Sequence, residues 1–390
     1  MLIVVRDTAR DGDYAERVKE AFTQEGVEVA GIVRGDPPAA RQAIARLVRS
    51  GVAFDAYVCN RPTSVWTIYD RLAEEFPQLK GVPVRHPAPY SWPTFLTTSN
   101  LLNVANQIAV IAILAIGMTM VVIVGGIDLS VGSLIALSAV VTTLLIREVG
   151  GAEEASDLAL VLCSLAGMAA CGLVGLFSGV MVTRFAMPAF IATLGVMLAA
   201  NGLADRLSEH QSIYQVPESF TWLGGQSDLF GIPNAVVLMA LLYLAAHFVM
   251  SRTVLGRYIY AVGGNAQAAR YAGIPVRGIV ITVFVISGTL AGLGGVIQAS
   301  LFKSGSPNYG QTYELLVIAA VVVGGASLSG GRGTIFGTLI GALIIAVIQN
   351  GMNLMGLTSD VQKIVLGLVI LGAVLLDRLR PKTGEASRAA

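Results

Sequence analysis

The sequence predicts a polytopic α-helical membrane protein of about nine transmembrane segments, preceded by a small α/β domain built on a parallel sheet. Three observations predict it. Of 390 residues, 54% are hydrophobic and 13% charged, and the mean hydropathy is +0.71; soluble domains carry about 25% charged residues. The deficit is uneven, because residues 1–100 hold 12 basic and 12 acidic side chains and the other 290 hold only 14 and 13. The charge-poor part breaks into apolar runs, most of them near the ~20 residues that cross a hydrocarbon core as helix.

Composition also excludes several functions. A formal net charge of +1 provides no broad basic face for nucleic acid. Cys59, Cys163 and Cys171 make no disulfide framework, and His86, His210 and His247 lie far apart without cysteine partners, so neither a metal site nor a cofactor is expected. No Gly-Lys dipeptide occurs, so the lysine of a phosphate-binding loop is missing and nucleotide hydrolysis is expected elsewhere.

Residues 1–90 read as alternating strands and helices: strands at 2–5, 27–33, 55–59 and 81–85, helices at 13–24, 38–50 and 64–75. Such alternation implies a parallel α/β sheet. Its ligand-facing loops follow the strands, here Arg6-Asp7-Thr8, Arg34-Gly35-Asp36 and Asn60-Arg61-Pro62-Thr63. The run GDPPAARQAIARLVRSGVAFDAYVCNRPTSVWTIYDRL resembles one lobe of a periplasmic sugar-binding protein. That family often places an Asn-Asp pair against the sugar after the third strand; the matching pair here is Asn60-Arg61, which lacks the carboxylate. With one lobe where two close on a ligand, the domain reads as a remnant or spacer.

Residues 91–380 form the transmembrane domain and 381–390 a cytoplasmic tail. Nine segments are expected at 101–125, 129–146, 158–183, 188–203, 235–250, 279–302, 315–326, 334–354 and 361–376, the short seventh open to reading as a re-entrant half-helix. Arg252, Arg257, Arg270 and Arg277 place the loop between segments five and six in the cytoplasm. Alternation then puts Arg184, Arg332 and the tail (Arg378, Arg380, Lys382) inside, and the acidic loop Glu148–Asp157 outside. Nine crossings leave the N-terminal domain outside, although residues 1–20 show no secretory signal. A start upstream of Met1, supplying an export segment and the second lobe, is the expectation that reconciles the two.

Two strings repeat 199 residues apart: Val124-Gly125-Gly126-Ile127-Asp128-Leu129-Ser130-Val131-Gly132, running on to Ser133, and Val323-Gly324-Gly325-Ala326-Ser327-Leu328-Ser329-Gly330-Gly331. Six of nine positions are identical. Glycine pairs end helices, and Asp128 or Ser327 is expected to cap the helix that follows. Broken helices at membrane depth line cavities or lie buried in protein, and transporters place substrate near them within repeated halves. Asp128 is the one acid in more than forty residues around it. Two readings stand for it: a helix cap near the cytoplasmic interface, or a functional intramembrane acid.

The cytoplasmic loop runs LGRYIYAVGGNAQAARYAGIP. Gly263, Gly264 and Asn265 mark a turn, and 266–272 reads as a two-turn helix closed by Gly273, too short to be stable alone. It therefore reads either as a docking helix or as a solvated loop bearing positive-inside arginines.

Residues 92–380, from Trp92-Pro93-Thr94-Phe95 onward, resemble the permease subunit of ATP-binding-cassette importers for ribose and related simple sugars. The resemblance rests on GMTMVVIVGGIDLSVGSLIALS, PAFIATLG, GRYIYAVGGNAQAARYAGI and YELLVIAAVVVGGASLSGGRGTIFGTLIGALI. It implies a permease homodimer in the bacterial inner membrane, an ABC ATPase subunit on the cytoplasmic side, a periplasmic sugar-binding protein or fused receptor domain outside, and lipid around it. It implies further that 256–274 receives force from the ATPase, with Arg257, Gly263, Gly264, Asn265, Ala268, Arg270 and Gly273 as its marked residues. The family usually has ten segments, and the first has no counterpart here.

For an uncharged, hydroxyl-rich solute, the candidate path residues are Asp128, Ser130, Ser133, Thr193, Asn201, Gln298, Asn350 and Asn353, with Gly125, Gly126, Gly324 and Gly325 as the helix breaks. Interhelical hydrogen bonding is the competing role for each, worth about 0.6 kcal/mol on average. The alternative function is an ion-gradient-driven secondary transporter or channel. It would need ionisable groups inside the bundle, for which Asp128 qualifies and Glu314 stands at a segment end. A membrane enzyme would need clustered acid–base groups, and the sequence shows none.

Overall fold

Strand β1 (Leu2–Val5) has all four residues fully buried, as expected of a strand covered on both faces. It pairs in parallel with β2 (Gly31–Arg34) and β3 (Tyr57–Cys59), and β4 (Val84–Arg85) adds outside β3, giving the order β2-β1-β3-β4. Alternation sends Ile3 and Val5 toward helix α1 (Ala9–Gln24), where they pack with Ala15 and Val58. Leu2 and Val4 face the opposite layer, packing with Ile44 of α2 (Pro37–Arg49), Leu72 of α4 (Ile68–Glu75) and Cys59; the short α3 (Arg61–Ser64) follows β3.

The parallel α/β class is as predicted, with shifted boundaries. Helix α1 begins at Ala9 rather than residue 13, because the Thr8 hydroxyl accepts the Asp11 N–H at 3.2 Å and caps it. Strand β2 begins at Gly31 rather than residue 27. The helix expected at 64–75 is two, interrupted at 65–67.

In this computed structural model, residues 1–87 and 95–379 are described, and the chain separates into two units, Met1–Trp92 and Pro93–Ala390. The domain boundary at 90/91, the start of the motif at Trp92-Pro93-Thr94, and Arg380, Lys382 and the tail 381–390 lie outside the described residues.

The second unit is helical. Its helices are α5 (Thr98–Ile123), α6 (Val131–Leu145), α7 (Asp157–Arg184), α8 (Ala189–Leu207), α9 (Trp222–Gly225), α10 (Asn234–Arg252), α11 (Val254–Gly264), α12 (Ala266–Tyr271), α13 (Val276–Phe302), α14 (Tyr313–Val323), α15 (Ile335–Leu354) and α16 (Ser359–Leu379). Among the described residues, seven helices are long and apolar enough to cross a membrane: α5, α6 with its continuation to Gly150, α7, α8, α10, α13 and α15. The shorter α14 and the terminal α16 occupy the places expected for segments seven and nine.

Helix α5 is the core of this unit, with 89% of its apolar window buried against 28% for α8 and α10. Helix α13 lies against α5, α6 and α7 at backbone distance. A Cβ on Gly179 of α7 would sit 2.8 Å from Ile281 Cα, one on Gly292 2.8 Å from Met168 Cα, and one on Gly117 of α5 2.7 Å from Ser287 Cα. Small residues at such crossings let membrane helices approach for dispersion contact, the main attraction available where lipid is as apolar as leucine.

Candidate functional site

The two repeated strings fold alike. Helix α5 ends with the Gly125 N–H on the Val122 carbonyl and the Gly126 N–H on the Val121 carbonyl, both at 2.9 Å. Helix α14 ends with Gly325 on Val322 at 2.9 Å and Ala326 on Val321 at 3.1 Å. Each is a Schellman motif, offset by one position between the strings: its left-handed residue is the first glycine of the first pair, Gly125 at φ +84°, and the second glycine of the second pair, Gly325 at φ +90°. A Cβ at Gly125 meets nothing within 4 Å, so the conformation alone demands glycine there. Gly125→Ala is expected to lower stability by about 1–2 kcal/mol, read as a shift in thermal unfolding of the purified protein. Gly324 is held differently, packing its Cα face on Gly337 and Thr338 of α15.

The strings, 199 residues apart, meet. The Gly331 N–H donates to the Ile123 carbonyl at 2.8 Å, so the second string closes the end of α5. Helix α11 fits against the same point. A Cβ on Gly263 would run into the Ile123 carbonyl and lie 2.8 Å from the Gly331 nitrogen, while the Tyr260 hydroxyl donates to the Gly333 carbonyl at 2.7 Å. Both helix breaks and the loop helix therefore share one junction. The sequence marked all three motifs but carried no signal that they touch.

Asp128 follows the first break and is 1% exposed. Its Oδ1 accepts from the Ser130 N–H at 3.0 Å and the Ser130 hydroxyl at 2.6 Å; its Oδ2 accepts from the Ser287 hydroxyl of α13 at 2.8 Å. The carboxylate thus ties the entry of α6 to the central helix. Thr193 holds the same loop from α8, its hydroxyl accepting the Leu129 N–H at 3.1 Å. Ser327 does not play the matching part: its hydroxyl accepts from the Ser329 N–H, and Thr334 caps α15 through the Gly337 N–H at 3.0 Å.

After α13 the chain turns back into the unit as non-helical backbone, a single bridge from Gly305 to Ile213 followed by turns through residue 312. Gly305 packs on Thr143 and Ala139 near the end of α6, whereas Gly310 packs on Gly132 and Ile135 near its start. This descent covers about 10–15 Å at 1.5 Å per helical residue. Non-helical backbone at such depth is tolerated when buried in protein or lining a cavity, and Ser304, Gly305, Ser306, Pro307 and Gly310 are buried. Beside the descent lies a polar cavity of about 310 Å³, whose walls include Ser133, Asn201, Asp205, Asn308, Gln311 and Glu314.

The structure brings two of the predicted path residues, Ser133 and Asn201, to this cavity. Others bond elsewhere: Ser130 to Asp128, Asn350 reciprocally to Asn100 of α5 at 3.0 and 3.1 Å, and Asn353 to Gln362 at 2.8 Å. Gln298 donates to the Tyr313 hydroxyl at 2.8 Å and keeps a buried, unpartnered Oε1. Asp205, Asn308 and Gln311 escaped sequence reasoning because they fall in stretches read as connecting loop. Glu314 was visible there as a segment end.

In the loop between α10 and α13, Asn265 caps α12 by accepting the Gln267 and Ala268 N–H groups at 3.0 and 2.9 Å. Gly273, at φ +83°, ends it. Gly263 and Gly264 are the last residues of α11 rather than part of a turn, because the helix continues to the Asn265 cap. Helix α12 buries Ala269 and exposes Ala268, Arg270 and Tyr271; Arg257 on α11 is exposed as well.

In the first unit the loops expected to face ligand bond internally. Arg6 pairs with Asp11 at 3.0 Å, Arg34 with Glu16 at 2.8 Å, and Asn60 caps α3. Burial raises the Asp11 carboxyl, but hydrogen bonds from Arg6, Asn60 and Thr8 outweigh it and hold the group below the ordinary carboxylate range.

Residues 100–374 match the family described as branched-chain amino acid transport system / permease component. The chain belongs to this permease family. The permease is 44% identical over 289 residues to the ribose import permease protein RbsC of Escherichia coli (strain K12), covering 73% of this chain and 87% of that protein. It is 40% identical over 287 residues to RbsC of Bacillus subtilis (strain 168), with the same coverage, and 36% identical over 288 residues to the D-allose transport system permease protein AlsC of Escherichia coli (strain K12), covering 74% and 86%. No solved structure matches the chain significantly. The family match begins after the α/β unit, so it speaks for the helical unit alone.

Proposed function

We propose that this permease is the translocation-path subunit of an ABC importer for a simple sugar. It sits in the bacterial inner membrane as a homodimer, with a separate ATPase on the cytoplasmic side and a sugar-binding protein, or a fused receptor domain, on the other. The observation that carries the reading is the junction: α11 packs on both helix breaks at once, and α12 beside it exposes a polar face. A push on α12 from an ATPase reaches Ile123 and Gly331 through α11. The marked loop residues divide accordingly, Gly263 and Gly264 at the junction, Asn265 and Gly273 ending the docking helix, Ala268, Arg257 and Arg270 facing the partner.

Topology agrees with the positive charge in this loop. Helix α13 leaves the cytoplasmic side at Arg277, the 303–312 segment re-enters from outside, and the eleven residues of α14 complete the crossing to the second break. The C-terminus is then cytoplasmic and the α/β unit periplasmic. Solute passes the cavity at Ser133 and Asn201, while Asp128, Ser130, Thr193, Gln298, Asn350 and Asn353 hold the helices that frame the path.

The test is co-purification with the ATPase. Ala268→Glu places a charge on the exposed face of α12, and Gly264→Pro removes an N–H from the last turn of α11. Both are expected to abolish ATPase binding with membrane insertion intact; normal binding by both variants would refute the coupling assignment. In proteoliposomes, ribose uptake that persists without ATP and collapses with an ionophore would establish the gradient-driven alternative.

A further inference from the structure

The cavity walls carry two carboxylates, Asp205 and Glu314, together with the amides of Asn201, Asn308 and Gln311 and the hydroxyls of Ser133 and Thr312, but no Lys, Arg or His. Its volume of about 310 Å³ lies at the lower end of the ~300–1,000 Å³ typical of small-molecule sites. The Glu314 carboxylate is held against the first turn of α6. A Cβ on Gly132 would collide with Glu314 Oε2 and stand 2.6 Å from the Gly310 carbonyl, so the absence of a side chain at 132 is what admits the carboxylate. Helix N-terminal turns favour negative charge. Among the described residues, Glu314 has no ion-pair partner, and Asp205 has only His210, 4.0 Å away.

We propose that this cavity is a transit site for neutral polyhydroxylated solutes, in which Glu314 accepts solute hydroxyls and, with Asp205, excludes anionic sugars such as sugar acids and sugar phosphates. A carboxylate accepts hydroxyl protons in charge-assisted bonds, roughly twice as strong as neutral ones, and the amides provide both donors and acceptors for the remaining hydroxyls. An anionic solute would place a third negative charge beside two carboxylates in a cavity whose walls offer no counter-ion, and like charges a few ångströms apart repel. The permease thereby adds a charge filter downstream of any receptor. The inference rests on the proposed sugar-import function and deepens it.

The experiment uses the full-length permease in lipid nanodiscs, with saturation-transfer NMR to D-ribose and to D-ribonate, which keeps the carbon chain and adds a carboxylate. Wild-type protein is expected to bind ribose and to bind ribonate at least about tenfold more weakly. Glu314→Gln is expected to weaken ribose about tenfold, the loss of one hydrogen bond to a charged group, and to bring ribonate up to the level of ribose. Asp205→Asn, at the more exposed wall, is expected to raise ribonate binding with ribose little changed. A gain of ribonate binding is not produced by misfolding. Equal binding of the two solutes by wild type, or a selectivity unmoved by Glu314→Gln, overturns the filter. Ribose binding that EDTA abolishes would make the carboxylates a cation site and overturn it as well. ATP-driven uptake by the assembled transporter separates the two claims: if uptake is normal and selectivity is unmoved, the filter alone fails. If ribose, allose and arabinose all fail to enter, the import function fails with it.

Discussion

Gly263→Val is expected to separate the junction and stop transport, while Gly264→Ala next to it leaves both stability and transport unchanged. The contrast comes from the space each residue has. A Cβ at 263 overlaps the Ile123 carbonyl and crowds the Gly331 nitrogen, whereas one at 264 meets nothing within 4 Å. Overpacking costs about 1–3 kcal/mol, and displacing the Gly331–Ile123 hydrogen bond costs about 0.5–1.5 kcal/mol more. Valine at 263 should therefore destabilise the permease by about 2–4 kcal/mol, read as a lowered unfolding temperature. Transport should fall further than stability explains, because α11 no longer bears on either break. Equal unfolding temperatures and uptake for the two variants would show that the contact does not matter.

Asp128→Ala is expected to be the second severe change, and Asp128→Asn a mild one. Alanine strips the acceptor from the Ser130 N–H, the Ser130 hydroxyl and the Ser287 hydroxyl. The hydroxyls rotate and find helix carbonyls, but the backbone N–H stays unpaired, and a buried orphan costs about 1–3 kcal/mol. Severing the tie between the α6 entry and α13 adds to this, for a total of about 2–4 kcal/mol by the same measure of unpaired and lost bonds. Asparagine keeps one oxygen for Ser130 and turns its amide toward Ser287, whose hydroxyl accepts as readily as it donates. Its stability should stay within about 1 kcal/mol of wild type, as expected of an exchange that preserves hydrogen bonding, with uptake retained. An inactive Asp128→Asn protein that assembles normally would show that the negative charge itself takes part in transport.

Much of this architecture is legible before any coordinates. The apolar runs announce α5, α7 and α13 to within a few residues, since length and the absence of charge suffice for a span. The glycine pairs at Gly125-Gly126 and Gly324-Gly325 announce the helix ends, because a left-handed C′ position is a local demand. What stays hidden is tertiary. Asn350 looks the same in sequence whether it faces solute or Asn100, and only the partner 250 residues away decides it. The descent at 303–312 contains Ser304, Ser306, Pro307 and Asn308, the composition of a surface loop, and nothing local says that it re-enters. The cavity residue Gln311 is hidden for that reason, and Asp205 because it lies past the last apolar residue of its segment.

The backbone-close seat of α13 bears on how the protein is made. Helices α5, α6 and α7 leave the ribosome before α13, and the roughly ninety residues between Arg184 and Val276 take about 5–20 s to synthesise at ordinary rates. Through that interval the glycine faces of Gly117, Gly175 and Gly179 have no α13 to pack on. Lipid tails or the insertion machinery must occupy the slot and then withdraw, so α5, α6 and α7 reach their final spacing only after α13 has entered the bilayer. Bulky replacements at these glycines should accordingly show up as premature degradation during biogenesis, before any solute is carried.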